Sequence, residues 1–304
     1  MHLGVGGGLL KAARRARQIG ATALQIFSDN PTAWRRRAEP PIHSPEFIGY
    51  LDRHDIGPVA IHASYLINLA GSAEPFASQS RASLTHELQR APAYGARLVN
   101  THIGSHRGGG RETGLRRIVD NVNAVLGDSP AEVTLVLENS SGGGDNLGSR
   151  LEDLAEILEA VDSRLANRLA FCLDTAHLWG AGYDIATPDG AVAVLDRFDE
   201  LVGLERLALV HLNDSRSELG SWNDRHEHLG AGRIGPSGLA AILRSPRLAA
   251  GTAFMLETPG ADEGYDAVNM RRAWLLFNGA ETLPELPPKA FKLNRRSTRQ
   301  PPPR

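Results

Sequence analysis

Cysteine is all but missing from this chain. Cys172 is the only one in 304 residues, so no intrachain disulfide can form and no zinc site can be built on thiolates. Long apolar runs are missing too: nothing approaches the ~18 residues of a membrane span. The opening MHLGVGGGLLKAARRARQIG lacks the ordered basic, apolar and small-residue regions of a secretory leader. These absences point to a soluble, cytoplasmic protein. Neither charge is in excess, since 33 Lys and Arg stand against 35 Asp and Glu for a net −2. That balance gives no general attraction for nucleic acid, so any polyanion must be held by a local patch. Arg14, Arg15 and Arg17, and Arg35, Arg36 and Arg37 directly after Trp34, are the candidate patches. No early strand is followed by a GxGxxG phosphate loop, which disfavours a doubly wound nucleotide-binding sheet.

What the chain does have is a core and an alternation. Hydrophobic residues make up 41% of it, enough for a sizeable globular interior. Strand-like segments recur at Thr22–Phe27, Gly57–Ile61, Arg97–Thr101, Val133–Leu137, Leu169–Leu173, Leu207–Val210 and Ala253–Leu256. Helical patterns lie between them, as at Ser83–Tyr94, Leu115–Leu126, Arg150–Val161 and Asp189–Val202. Alternating strands and helices imply a parallel sheet with crossover helices. Eight such units over ~250 residues make a TIM (β/α)8 barrel, with a short or truncated first strand at His2–Val5. The barrel is expected over residues 1–280, and residues 281–304, with six prolines and repeated Lys and Arg from Leu283 on, are expected to be a disordered tail.

The chemistry lies where the strands end. Six of the predicted strands run into His62, His102, Glu138, Asp174, His211 and Glu257, and in a βα barrel all strand C-termini open on one face. One polar residue at a strand end is commonly a cap; six of metal-ligand type are not explained that way. The stretch VHLNDSRSELGSWNDRHEHLGAGRIG, from Val210 to Gly235, adds Asp224 and His226 on a glycine-bounded loop, and Asp174-Thr175-Ala176-His177 adds His177. Four carboxylates in one cleft would repel one another and take up protons unless cations sat among them. Nine ligands with one carboxylate shared suit three divalent ions, leaving roughly +2 at the mouth. Histidines with carboxylates and no cysteine favour Zn²⁺ or Mn²⁺ over Mg²⁺. Phosphodiester hydrolysis by a metal-activated hydroxide fits such a site.

With HASYLINLA, NTHIGSH, LENSSGGGDNLG, FCLDTAHLWGAGYD, HLNDSRSELGSWNDRHEHLGAGRIG and LET in this order, the chain resembles bacterial endonuclease IV, the apurinic/apyrimidinic-site endonucleases built as TIM barrels with a trinuclear zinc centre. The resemblance implies a first zinc on His62 and His102 with Glu138 bridging to a second, which also takes Asp174, His211 and Glu257. His177, Asp224 and His226 would hold the third. Glu138 and Glu257 would be the catalytic carboxylates beside the hydroxide. The implied reaction is cleavage of duplex DNA 5′ to an abasic site, leaving a 3′-hydroxyl and a 5′-deoxyribose phosphate, by a monomer. Tyr65 and Leu66 match residues pushed into the base stack, and Thr32, Trp34 and Arg35 lie on a second DNA-contacting loop. Where relatives often carry Arg, this chain has Thr32, a loss that Arg35 to Arg37 are placed to offset; and Trp222-Asn223 replaces a more basic pair. Cys172 reads as core and His228 as a neighbour of the metal loop.

Two other classes compete. Xylose-isomerase-like barrels that isomerise or epimerise sugars use one or two metals with mainly carboxylate ligands, and His62, His177, His226 and Asp224 exceed that need. An inactive DNA-lesion binder would have had no reason to keep all nine ligands.

Overall fold

A computed structural model describes residues 1–39, 41–248 and 251–295. Seven parallel strands form one sheet: β1 (Leu24–Ile26), β2 (Val59–His62), β3 (Ala96–His102), β4 (Thr134–Glu138), β5 (Leu169–Asp174), β6 (Leu207–His211) and β9 (Ala253–Met255), hydrogen-bonded in that order. A two-stranded antiparallel hairpin, β7 (Asp214–Ser215) and β8 (His226–Glu227), rises from the loop after β6. The helices are α1 (Leu9–Ile19), α2 (Ser44–Asp52), α3 (Phe76–Arg90), α4 (Arg111–Gly127), α5 (Leu151–Ala160), α6 (Thr175–Ala181), α7 (Pro188–Leu201), α8 (Gly235–Leu243) and α9 (Tyr265–Phe277).

The eighth stave is reduced to three residues. His2 bridges Gln25 in parallel, the Leu3 amide donates to Gln25 O at 2.9 Å, and the His2 amide donates to Leu256 O at 3.0 Å. Met1–Leu3 therefore joins β1 to the end of β9 and closes the barrel. The expected TIM barrel is the fold, and its first strand is short.

Strands such as TLVLE and LAFCLD are apolar on both faces because both are covered. Outward residues pack under the helices in one large cluster that includes Phe47, Ile61, Leu84, Ile118, Phe171 and Phe198. Inward residues form a small separate cluster: Ala23, Ala60, Val136, Ala170, Cys172, Leu209, Ala253 and Met255. Side chains alternate across a strand with period two. Two residues above Ala60, Val136, Cys172, Leu209 and Met255, the inward positions are therefore His62, Glu138, Asp174, His211 and Glu257. Sheet register sets some of these side by side, with His102 opposite Glu138 and Asp174 opposite His211.

Residues 281–292 depart from the expected disordered tail. Ala290 is fully buried, and Pro284 O accepts from Arg272 at 2.6 Å. Residues 296–304 of that expectation lie outside the described residues. No helix among the described residues is long and apolar enough to cross a membrane.

Candidate metal centre

Glu138 is the hub. Its Oε2 lies 3.6 Å from His62 Nε2 and 3.7 Å from His102 Nε2, while Oε1 lies 3.3 Å from both His177 Nδ1 and His211 Nδ1. His211 Nδ1 also faces Glu257 Oε2 at 3.2 Å and Asp174 Oδ2 at 3.8 Å. Beyond them, His226 Nε2 stands 3.0 Å from Asp224 Oδ1 and 3.5 Å from Asp174 Oδ2, and His177 Nε2 stands 3.4 Å from Asp224 Oδ2. The nine sequence candidates thus converge. Among the described residues, four groups have donor atoms all within 4.8 Å of one another: His62, His102 and Glu138; Glu138, Cys172 and His211; Glu138, Asp174, His211 and Glu257; Asp174, His177 and His226. Asp174 faces two groups, a sharing that the strand pattern did not predict.

The histidines are aimed by their second nitrogens. A carbonyl oxygen can only accept, so His62 Nδ1 donates to Ala63 O at 2.8 Å, His177 Nδ1 to Asn139 O at 2.8 Å and His226 Nδ1 to Glu257 O at 3.0 Å. Each Nε2 is then left as a lone pair toward the carboxylates, the arrangement that fixes ring and tautomer in metal sites. His211 is turned the other way, with Nε2 3.1 Å from Gln25 Oε1 and Nδ1 facing the cluster. Glu138 Oε1, His211 Nδ1 and His226 Nε2 are buried and have no hydrogen-bond partner. Buried polar atoms are rarely orphaned, and here each is of ligand type. The residues fit a group of divalent cations.

Electrostatics agree. Burial alone would raise the carboxyls and lower the imidazoles; it does lower His102, but for the groups that follow mutual attraction outweighs it. Glu138, Asp224 and Glu257 are held well below the usual carboxylate range. His177 and His211 are lifted well above the ordinary imidazole value, and Asp224 and Asp174 carry His226 up to about 10. Burial also pushes the Cys172 thiol up to about 12, so it stays neutral beneath the cluster as core.

Neutral amides that the sequence did not single out hold the carboxylates. Asn100 Nδ2 donates to Glu138 Oε2 at 2.6 Å, Gln25 Nε2 to Glu257 Oε1 at 2.7 Å, and Asn213 Nδ2 to Asp174 Oδ2 at 2.7 Å. Asn139 Oδ1 accepts the Asp174 amide at 2.6 Å. His2 Nδ1 lies 2.7 Å from Glu257 Oε1, so the short first stave supplies a buttress. The period-two pattern could have found Gln25 and Asn100, which point inward from within β1 and β3. His228 is no neighbour of the cluster: its Nε2 donates to Ala290 O at 3.2 Å, on the far side of the loop.

The candidate DNA-contacting residues gather on one rim. Tyr65 is 52% exposed and stacks on His102, with ring centroids 5.9 Å apart. Its amide and the Ser64 hydroxyl both donate to Pro31 O, at 3.1 and 2.7 Å, tying the Tyr65–Leu66 loop to that of Thr32 and Trp34. Thr32 is folded onto Asn30 Oδ1 at 2.9 Å, Trp34 is half-buried against Phe76 and Arg35 is exposed. The basic run does not act together. Arg36 turns inward to Ser83 Oγ at 2.7 Å and Asn30 O at 3.3 Å, and Arg37 pairs with Asp29 at 3.3 Å. Of the three, only Arg35 is exposed without an ion-pair or side-chain partner among the described residues. Across the mouth, Trp222 is 59% exposed, with its amide donating to Gly180 O at 2.9 Å; a Cβ on Gly143 would meet its backbone at 3.3 Å.

Under the Asn30–Trp34 loop lies an acid with its own pH signature. Glu87 is buried, accepts from Ser28 Oγ, and stands 3.8 Å from Arg36. Burial raises its carboxyl from 4.5 to about 7; the charge of Asp29 adds to the rise, and Ser28, Arg36 and His62 oppose it. A raised acid binds its proton more tightly folded than unfolded, so its contribution is full at low pH and lost as pH rises from 4.5 to about 7. Glu87→Gln removes that loss, worth up to about 3 kcal/mol. The variant's melting temperature should exceed that of the parent at pH 7.5 by more than it does at pH 5; parallel curves would refute the assignment.

Comparisons with known proteins identify the family. The family described as Xylose isomerase-like TIM barrel matches residues 13–275. The probable endonuclease 4 of Halothermothrix orenii is 37% identical over 274 residues, covering 89% of this chain and 98% of that protein. Among solved structures, endonuclease IV from Thermus thermophilus superposes with a TM-score of 0.80 at 37% identity, over 91% of this chain and 98% of that one. An L-ribulose 3-epimerase aligns over 92% of this chain and 95% of its own with a TM-score of 0.66, but at 16% identity, and so shares the barrel alone. With its cluster built on that barrel and its likeness running nearly end to end, the chain belongs to the endonuclease IV family.

Proposed function

We propose that this member of the endonuclease IV family, a DNA-cleaving hydrolase, hydrolyses the phosphodiester 5′ to abasic sites in duplex DNA, with three zinc ions per chain. Mn²⁺ is the alternative at one site. The observation that carries the reading is a chain of three histidine–carboxylate groups at the open end of the barrel, the first two sharing Glu138 and the last two sharing Asp174. His62, His102 and Glu138 would hold the first ion, Glu138, Asp174, His211 and Glu257 the second, and His177, Asp224 and His226 the third, with Asp174 facing it as well.

Bound there, the ions supply Lewis acidity, bringing a water's pKa near neutrality and stabilising charge on the phosphate and the leaving oxygen. The chain's own part is positional. Glu138 presents one oxygen to each of two groups and so fixes their separation. Glu257 is anchored through Oε1 by His2 and Gln25, which leaves Oε2 directed at the cluster. The amides orient both carboxylates, which the neighbouring histidines hold ionised, and the apolar floor excludes water from below. Tyr65 and Leu66 form the wedge at the lesion, with Thr32, Trp34 and Arg35 beside them. The protein works as a cytoplasmic monomer, since one face carries every contact.

The test is nicking of a duplex bearing one tetrahydrofuran abasic analogue, before and after prolonged chelation. The analogue cannot undergo β-elimination, so a cut means hydrolysis. A single cut 5′ to the analogue, lost on chelation and restored by zinc, is expected. In the same assay Tyr65→Ala and Trp222→Ala each lower kcat/KM by about tenfold, the scale of one base-stacking contact. No cut by protein that holds its ions would overturn the substrate assignment.

A further inference from the structure

The segment after α9 runs past residue 275, where the family match ends, and packs on the loop that carries Asp224 and His226. Arg272, buried on α9, reaches both partners at once: Nε donates to Leu229 O at 2.5 Å and a terminal nitrogen to Pro284 O at 2.6 Å. Asn269, also buried, takes the Leu229 amide on Oδ1 at 2.9 Å and donates through Nδ2 to His228 Nδ1 at 2.9 Å. That leaves His228 Nε2 as the donor to Ala290 O. Phe291 sits edge-on to the His228 ring, with centroids 6.1 Å apart. Leu283 presses on Gly230 so closely that a Cβ there would clash.

From below, the same loop is gathered by Asp214, whose buried carboxylate accepts from the amides of Ser215, Gly232 and Ile234 at 2.8 to 3.0 Å. The loop after β8 is thus held at residues 232–234 by an internal acid and at residues 228–230 by α9 and the external segment. They follow His226 directly, whereas His62, His102, His211 and Glu257 sit on or just beyond barrel strands that need no such support.

We propose that residues 283–291 are a strap that positions the β8 strand, so that the cation site of His177, Asp224 and His226 depends on it while the other two sites do not. His228, Asn269 and Arg272 are its positioning residues, and the strap lies in the stretch that composition marked as a tail. The inference rests on the metal reading only for its cation readout.

Full-length protein is compared with a chain ending at residue 295, a chain ending at Thr282, and the point variant Arg272→Met. Bound zinc is counted after passage over a sizing column, and deuterium uptake is followed over residues 225–231. The first truncation should match the full chain. Ending at Thr282 should lose one ion of about three and raise uptake over 225–231 by tenfold or more, with the barrel strands unchanged; Arg272→Met should weaken retention of that same ion by about tenfold. An unchanged ion count and unchanged uptake in both strap variants would overturn the proposal. If the shortest chain does not fold, Arg272→Met decides. If the full-length protein holds no ions, the metal reading falls and deuterium uptake alone decides the strap.

Discussion

Glu138→Gln protein should fold and bind DNA yet nick an abasic duplex at least about 10⁴-fold more slowly than the parent. The substitution preserves size, and the amide oxygen can still accept from Asn100, so the barrel has no reason to open. What changes is the charge between four histidines on two sides of one carboxylate. An amide brings one acceptor and one N–H₂ donor, and that donor points at the His177 N–H and into the His211 lone pair meant for a cation. Bridging therefore ends, and the loss of a Lewis-acid centre is worth several kcal/mol of transition-state stabilisation, of which about 5.5 kcal/mol accounts for 10⁴. Steady-state nicking with metal analysis reads both consequences. A variant within tenfold of the parent that retained its full cation content would remove Glu138 from the hub.

Removing the ions should lower the melting temperature by about 10 °C or more. A cation present at a thousand times its dissociation constant adds about 4 kcal/mol to the folded state, and in a chain of this size each kcal/mol moves the midpoint by about 2 °C or more. The stripped site must balance its own carboxylates, and it does so by holding protons on the histidines, as His226 at about 10 shows. A raised histidine contributes stability that is present below its unfolded value near 6.5 and lost as pH climbs through about 10. Stripped protein should therefore suffer least at pH 6, and its deficit against loaded protein should widen at pH 9. Superimposable melts before and after chelation would show that these side chains hold nothing.

How much of this was legible before the fold was known depends on residue type. His62, His102, Glu138, Asp174, His211 and Glu257 are rare at the ends of apolar runs, so their placement alone announced the barrel mouth. Gln25, Asn100, Asn139 and Asn213 do equal structural work there, yet amides are common in turns and gave no such signal. α2, α8 and α9 were not read at all, because short segments with weak periodicity resemble loops until something packs on them. The strap misled for a related reason: prolines and lysines suggested disorder, while its few anchoring contacts, at Leu283, Pro284 and Ala290, leave no pattern in the sequence. His228 was misplaced because nearness in sequence to His226 said nothing about which side of the loop it faces.

The inner cluster of Ala23, Ala60, Val136, Ala170, Cys172, Leu209, Ala253 and Met255 reaches further than packing. A plug of small apolar side chains polarises little, so the field of a cationic centre seated above it cannot spread downward through the barrel and is focused out of the open end. A chain of net charge −2 would thereby acquire, with the proposed cations bound, a directional attraction for phosphate that its overall charge denies it. With the proposed cations in place, DNA would be drawn to one pole of the molecule, and the association rate, more than the residence time, would carry the dependence on ionic strength.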